Sequence, residues 1–254
     1  MIVTHGILGA GANWRSIARK LTQRRPEWGV VLVDLRQHGQ SEPGEPPHVL
    51  AACAADLRAL VDELGGIAAI AGHSFGGKVA LATRALAPPE LHQTWIFDAS
   101  PSARLDRAYD PSETVARLLG VMERSPRTWP RRDDFVQVVV AAGHSRPLAQ
   151  WLAMNLVPDG AGAFALRLDL AAIREMLADY HARDLWPVLL DPALPGSVEL
   201  VIATRSTVVT DDDRRRLATP PAHVHVHEIE AGHWLHIDAP DAVVDLLARR
   251  LPAA

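Results

Sequence analysis

Gly72-His73-Ser74-Phe75-Gly76-Gly77 is the stretch of sequence that decides the fold. It follows an apolar run at 67–71, typical of a buried strand, and precedes a run of helical character at 78–87. In a strand–turn–helix of the form G-x-S-x-G, the turn lifts the serine hydroxyl above the sheet, and the glycines leave room where a Cβ would clash. A serine exposed in this way beside a base becomes a nucleophile. We therefore predict that Ser74 is a catalytic nucleophile; a glycine-rich turn with a capping serine is the alternative.

A second Gly-His-Ser triplet, at 143–145, lacks this context. Arg146 and Pro147 follow it instead of x-Gly, and a helical pattern begins there. We predict that Ser145 is the N-cap of that helix.

The general base has to be a histidine that the fold brings to Ser74. Of the twelve histidines in the chain, His233 lies in Ala231-Gly232-His233-Trp234, after the last strand-like run and before the last helix. That location is the carboxyl edge of a parallel sheet, where Ser74 also lies. The order serine then histidine also fits a hydrolase built on this strand–turn–helix. We predict that His233 is the base, and an ordinary loop histidine is the alternative.

Two backbone N–H groups are candidates for an oxyanion hole. The pair His5-Gly6 follows the first strand-like run, and the N–H groups just after such a pair can donate to a developing negative charge. We predict Ile7 as this donor, with Leu8 as the alternative. The N–H of Phe75, directly after the nucleophile, is the predicted second donor.

Short β-branched runs alternate with amphipathic helical segments in two parts of the chain, which predicts a mostly parallel, doubly wound α/β sheet. Between them, residues 104–195 show helical patterns with Pro-rich joints and no convincing parallel strand. We therefore predict a core formed by 1–103 and 196–254, and an inserted helical cap formed by 104–195. The helices predicted in the cap span 111–123, 131–142, 147–156 and 169–180.

Taken together, His5-Gly6, 34–41, 72–77 and Gly232-His233-Trp234 resemble the α/β-hydrolase family, in the family's order and over nearly the whole chain. The resemblance is closest to small bacterial esterases with a helical cap. It implies the α/β-hydrolase fold, and it implies that 34–41 is mainly a structural turn beside the active site. A serine at the elbow argues against dehalogenases and epoxide hydrolases, which use a carboxylate nucleophile in this fold.

The chain departs from the family at the acid of the triad. Most members carry it after the strand that follows the cap, where this sequence has Thr207. One subgroup of the family carries the acid after the sixth strand, followed by a turn that contains proline. Asp98-Ala99-Ser100-Pro101 is similar to that arrangement, so the resemblance implies Asp98 as the acid. Asp211 or its neighbours, at the start of a predicted helix, are the alternative.

A second departure concerns the first strand. The family usually has two strands before the His-Gly strand, whereas this sequence starts at it, so either those strands are missing or the start is truncated. The edge strand left exposed favours association, and we expect a homo-oligomer as one state of the protein.

The composition argues against several classes of partner. Lys+Arg 26 against Asp+Glu 30 gives a formal net charge of −4, which does not favour nucleic acid. No apolar run reaches the roughly 18 residues of a membrane span, and no signal peptide is recognisable. The single cysteine, Cys53, allows no internal disulfide and fits a reducing compartment. We expect a cytoplasmic protein without membrane or nucleic-acid partners.

Two weaker motifs are set aside. Gly9-Ala10-Gly11 with Asp34 is similar to a dinucleotide fingerprint, but Trp14 stands where the third glycine belongs. Alternating histidines at 223–227 have the spacing of metal ligands, yet a polar strand face explains them without a metal. We expect neither a cofactor nor a metal.

The chemistry predicted from these residues is acyl transfer to water. The expected substrate is a small-molecule carboxylic ester with a small to medium acyl chain. A thioesterase, a lactonase, a C–C bond hydrolase or a perhydrolase would use the same residues. A ligand-binding protein that retains the triad on a hydrolase scaffold is the alternative from another class.

Overall fold

Six parallel strands form the central sheet of the structure, a computed structural model that describes residues 1–106 and 114–253. The order of strands in this sheet is β2-β1-β3-β4-β8-β9, and each neighbouring pair is parallel. The strands of the chain are β1 (Ile2–Thr4), β2 (Val31–Val33), β3 (Ala69–His73), β4 (Gln93–Phe97), β5 (Thr128–Trp129), β6 (Leu156–Pro158), β7 (Phe164–Leu166), β8 (Ser197–Ala203) and β9 (Val224–Ile229).

Helices cover both faces of the central sheet. The helices are α1 (Arg15–Arg24), α2 (Leu50–Glu63), α3 (Phe75–Arg84), α4 (Thr114–Glu123), α5 (Arg132–Ala141), α6 (Arg146–Leu152), α7 (Leu170–Ala182), α8 (Trp186–Leu190), α9 (Asp211–Arg216), α10 (Leu235–Asp238) and α11 (Pro240–Arg250). Among the described residues, no helix has the length and apolar character needed to cross a bilayer. Helices α1 and α11 pack on one face, and α2 and α3 pack on the other. The predicted mostly parallel, doubly wound α/β sheet is confirmed.

The inner strands are apolar on both faces, which is why they lie in the centre of the sheet. Every residue of β3 and β4 is buried. Side chains alternate between faces along a strand. Ile70 accordingly packs with α2 and α3, whereas Ala69 and Ala71 pack with α1 and α11. Burying both faces of such strands is typical of parallel sheets.

The order of the strands determines where the candidate site lies on the sheet. The chain runs from β1 outward to β2 and then returns to the other side of β1 to form β3, so the order reverses between β1 and β3. Ligands of open α/β sheets bind at the carboxyl ends of the strands beside such a reversal. His5, Ser74 and Asp98 follow β1, β3 and β4 directly, and His233 lies in the loop after β9.

The segment inserted between β4 and β8 consists mainly of helices, and it also contains a small sheet that the sequence did not predict. Residues 104–195, called the insert below, contain α4 to α8 and a three-stranded antiparallel sheet of order β5-β7-β6. These strands have two or three residues each, too few to give a recognisable period of two in the sequence. The predicted start of one helix at Pro111 lies outside the described residues.

Candidate active site

The nucleophile elbow is a strained turn between β3 and α3. Ser74 has φ 53° and ψ −116°, a conformation that costs a non-glycine residue about 1–3 kcal/mol and that the surrounding structure has to enforce. Its N–H donates to the carbonyl of Phe97 at 2.9 Å. A Cβ on Gly72 would lie 1.9 Å from the carbonyl oxygen of Gly76, and a Cβ on Gly76 would lie 2.6 Å from that of His5. The glycines thus permit the close backbone approach on which the prediction for Ser74 depended.

Asp98 and His233 form a hydrogen-bonded pair beside this turn. Asp98 is 0 % exposed, and its Oδ2 lies 2.7 Å from Nδ1 of His233. The other carboxylate oxygen, Oδ1, accepts a hydrogen bond from the N–H of Ala203 at 3.1 Å. Because a carboxylate can only accept, Nδ1 of His233 carries the proton, and Nε2 is then free to accept one. This is the protonation state that a general base requires.

His73 connects the elbow to the loop that carries His233. Its Nε2 lies 2.7 Å from the carbonyl oxygen of His233, so Nε2–H is the donor. The two imidazole rings have centroids 4.7 Å apart. Burial lowers the pKa of His73 well below its usual value, and His233 and His236 add to the effect when they are charged. The neutral ring therefore fixes the backbone of His233 without bringing a second positive charge next to it.

The loop after β1 is held by two buried histidines. Nε2 of His5 accepts from the N–H of Leu35 at 3.0 Å, and Nε2 of His38 accepts from the N–H of Leu8 at 3.1 Å. Burial, with a smaller contribution from the neighbouring His5, lowers the pKa of His38 to about 3, so this ring stays neutral and can accept. The N–H of Leu8 is thereby engaged, which favours Ile7 over Leu8 as an oxyanion donor. Among the described residues, the N–H groups of Ile7 and Phe75 donate to no protein acceptor.

A cavity of about 550 Å³ opens above the elbow. The predicted residues Ser74, Phe75, Ile7 and His233 line it, and Asp98 lies behind His233. The wall on the side of the insert is mainly apolar and consists of side chains from three helices: Val115, Leu118, Leu148, Trp151, Leu177 and Tyr180. The structure thus brings together one polar cluster on the core and one apolar wall on the insert.

The alternative acids lie elsewhere. Asp211 is exposed in the first turn of α9. Asp213 is buried, but its carboxylate accepts from the hydroxyl of Ser102 at 2.5 Å and from Thr210, the N-cap of α9. Thr207 lines the cavity and has no carboxylate. Within the described ranges, the carboxylate hydrogen-bonded to the His233 ring is that of Asp98.

The two motifs that the sequence analysis set aside have structural partners. Asp34 accepts from the N–H of Gly11 at 2.7 Å and from that of Gln40 at 2.8 Å, so it closes the turn at 34–41. His227 lies 2.7 Å from the buried carboxylate of Glu199. In the part of the chain that the structure describes, no group of three His, Cys, Asp or Glu side chains has the arrangement of a metal site. Ser145 caps α6 as predicted, since its hydroxyl accepts from the N–H of Leu148.

Trp14, His73, Lys78 and His236 are among the further lining residues of the cavity that the sequence did not indicate. His236 stacks on Trp14 with ring centroids 5.0 Å apart. Lys78 could have been noticed, because it is a charged residue one turn after Ser74 in an otherwise apolar stretch of helix. His73 is the x residue of the elbow motif, and nothing in the sequence indicates its partner.

Comparison with known proteins identifies the family. The model of the alpha/beta hydrolase family matches residues 1–246. The sn-1-specific diacylglycerol lipase ABHD11 of Mus musculus is 28% identical over 258 residues, covering 98% of this chain and 80% of that protein. Esterase YbfF of Escherichia coli K12 is 28% identical over 258 residues, covering 99% of this chain and 92% of that protein.

Solved structures show the same fold. A marine microorganism esterase superposes with a TM-score of 0.84 at 22% identity, covering 98% of this chain and 93% of that one. The family model spans nearly the whole chain and includes the elbow, the Asp98 strand and the His233 loop. This chain therefore belongs to the α/β-hydrolase family.

Proposed function

We propose that the protein is a serine hydrolase that cleaves carboxylic esters of small to medium acyl chains. The observation that carries the proposal is the 2.7 Å hydrogen bond between His233 and the buried Asp98, in the cavity that Ser74 also lines. The names of the relatives support an ester as the substrate, since one is a diacylglycerol lipase and another an esterase.

The mechanism follows from the donors and acceptors in the cavity. Oγ of Ser74 attacks the ester carbonyl carbon and passes its proton to Nε2 of His233. Asp98 stabilises the imidazolium that forms. Two N–H groups stabilise the negative charge on the carbonyl oxygen. One is that of Ile7 in the loop after β1, and the other is that of Phe75 at the N-terminus of α3. His233 then protonates the leaving alcohol, and the acyl group remains on Ser74.

Deacylation repeats these steps with water. His233 takes a proton from water, the hydroxide adds to the acyl carbonyl, and Ser74 leaves with the proton that His233 returns. Every bond made or broken involves groups of this chain, the ester and water. The mechanism therefore needs no cofactor.

The size of the acyl group is inferred from the cavity. A volume of about 550 Å³ falls within the roughly 300–1,000 Å³ of ligand pockets that bind small molecules. Its apolar wall comes from the insert, which we propose acts as the cap over the core formed by 1–103 and 196–254. An alkyl chain of a few carbons would gain about 0.8 kcal/mol for each methylene buried against that wall.

The test is hydrolysis of p-nitrophenyl esters from acetate to octanoate by the wild type, Ser74→Ala and Ser145→Ala. Ser145 belongs to the second Gly-His-Ser triplet and caps α6, so its variant is the matched control. We expect turnover to disappear in Ser74→Ala and to persist in Ser145→Ala.

An alkyl phosphonate should label Ser74 covalently, as seen by mass spectrometry. The absence of both turnover and labelling in the wild type would contradict the proposal and leave a ligand-binding protein. Labelling without turnover of oxygen esters would direct the search to thioesters, lactones or C–C bonds.

We further propose a cytoplasmic location and a small-molecule substrate as the physiological partner. Burial raises the pKa of the Cys53 thiol to about 12, so this thiol is unreactive at neutral pH.

Strand β2 forms one edge of the sheet and is half-buried, and self-association through that edge stays a prediction. Light scattering over a range of concentrations tests the association, and cell fractionation tests the location.

A further inference from the structure

Lys78 is a buried cation that the proposed mechanism does not use. It lies in α3, one turn after Ser74, and is 1 % exposed. Its ammonium group lies 2.8 Å from the carbonyl oxygen of Ser102 and 2.7 Å from those of Tyr180 and Arg183. An ammonium has three N–H donors, so these three acceptors satisfy all of them.

These carbonyls belong to two separate segments, the core segment that leads into the insert and the end of α7 inside the insert. Ser102 lies on the segment that leaves β4, whereas Tyr180 and Arg183 lie at the end of α7 and just beyond it. The two segments also bond to each other, since the N–H of Arg104 donates to the carbonyl oxygen of His181 at 2.6 Å. Lys78 therefore binds both segments at once.

The end of α7 has a physical reason to bind a cation. The last carbonyls of a helix have no N–H partner within the helix, and the helix dipole places negative charge there. Lys78 supplies donors to this end, and its Nζ also lies 4.7 Å from the centroid of the Tyr180 ring. Burial lowers the pKa of Lys78 to about 8, so the group is mostly protonated at pH 7.

The position of α7 determines the apolar wall of the cavity. Leu177 and Tyr180 of α7 line the cavity, and α4, which contributes Val115 and Leu118, packs against α7. The centroid of the Tyr180 ring also lies 5.8 Å from that of Phe75, the residue directly after the nucleophile. A shift at the end of α7 would therefore change the space left for an acyl chain.

We propose that Lys78 is the positioning residue that sets acyl-chain preference, because it binds the segment after β4 and the end of α7 and so holds α7 at a fixed distance from Ser74. This inference rests on the proposed ester hydrolysis. A well-formed apolar pocket discriminates about 10- to 200-fold for one methylene. Loss of the ammonium should reduce this discrimination, mainly through KM, since Lys78 does not touch the reacting atoms in the proposed mechanism.

The experiment compares the wild type with Lys78→Met and Lys78→Gln on the p-nitrophenyl series at pH 7. Methionine keeps the length of the side chain and removes all three donors, and glutamine keeps two. We expect the ratio of kcat/KM between the best and worst chain lengths to shrink about tenfold or more in Lys78→Met and less in Lys78→Gln. The change should lie in KM rather than in kcat.

Arg84→Met is the matched control. Arg84 is also a buried cation of α3, it donates to carbonyls that include those of Val188 and Leu194, and it does not line the cavity. Its variant should lower the melting temperature and leave the chain-length profile unchanged. A profile that changes equally in both variants would mean that general destabilisation is the cause and would overturn the proposal.

Hydrogen exchange separates this proposal from the proposed function. Amides at 180–185 should exchange faster in Lys78→Met than in the wild type, whether or not the protein hydrolyses esters. If the wild type does not hydrolyse the esters, the ester assignment fails. The role of Lys78 is then still tested by hydrogen exchange and by the relative rates at which short- and long-chain phosphonates label Ser74. Unchanged exchange, or an unchanged chain-length preference in a folded Lys78→Met protein, overturns the inference.

Discussion

Asp98→Asn changes two hydrogen bonds with one substitution. In the structure, Oδ1 of Asp98 accepts from the N–H of Ala203 at 3.1 Å, and Oδ2 accepts from Nδ1–H of His233 at 2.7 Å. The N–H of Ala203 can only donate, so the amide oxygen of an asparagine would stay on that side. The amide N–H₂ would then face Nδ1 of His233, which could accept only by giving up its proton. The proton would move to Nε2, where the mechanism needs an acceptor.

The loss can be estimated from these contacts. Turning the amide the other way would place N–H₂ against the N–H of Ala203 and leave a buried donor unpaired, at about 1–3 kcal/mol. The charge-assisted bond to His233 would also be lost, at about 1.5–3 kcal/mol. Together these costs reach roughly 2.5–6 kcal/mol. At 1.36 kcal/mol for each factor of ten, kcat should fall about 10²- to 10⁴-fold. The corresponding change in serine protease triads costs about 10⁴-fold.

The assay is steady-state hydrolysis of the best p-nitrophenyl ester, with kcat and KM determined separately. KM should change only a few-fold, because Asp98 does not line the cavity. Asp211→Asn is the control, since Asp211 is exposed in the first turn of α9, and it should stay within about threefold of the wild type. A kcat for Asp98→Asn within tenfold of the wild type, or an equal loss in Asp211→Asn, would refute the assignment of the acid.

Three other substitutions test contacts around the site and the core. His73→Phe removes the donor to the carbonyl of His233, and losing this hydrogen bond should cost about 1–3 kcal/mol. The value of kcat/KM should therefore fall about 5- to 150-fold. A loss below twofold contradicts the role of His73. Burial lowers the pKa of His236 from 6.5 to about 4, so the unfolded chain binds a proton that the folded one does not. Urea unfolding should therefore show stability falling by up to about 3 kcal/mol as pH drops from 6.5 through 4, and His236→Phe should reduce this fall. Glu199→Ala removes the buried carboxylate that accepts from Arg250, whose side chain is 37 % exposed, and should cost about 1.5–3 kcal/mol in the same assay, with activity per folded molecule unchanged.

The central sheet could be predicted because its signals are local. Runs such as 67–71 are apolar on both faces, and their alternation with amphipathic helices specifies a parallel sheet. The small sheet of the insert could not be predicted, because β5, β6 and β7 have two or three residues each and their pairing depends on the helices around them. Sequence periodicity therefore indicated the helices of the insert and not its small sheet.

The candidate site divides in the same way. Ser74 and His233 could be selected from the sequence, because each lies in a short motif at a defined place in the strand order. The choice between Ile7 and Leu8 could not be made, because it depends on a bond from Leu8 to His38, which is 30 residues away. The role inferred for Lys78 depends on acceptors up to 105 residues away, and only the folded chain brings them together.

Helix α3 links these observations. Its N-terminus follows the nucleophile, and its two buried cations bind the backbone around the insert. Lys78 binds the segment after β4 and the end of α7 beside the cavity, and Arg84 binds four carbonyls between Val188 and Gly196, on the path back to β8. Burying unpaired charge is costly, so both cations would disfavour any state in which these carbonyls move away. Helix α3 thus carries Ser74 at its start and Lys78 beside the cavity, whereas Arg84 stabilises the return path to β8 away from the cavity.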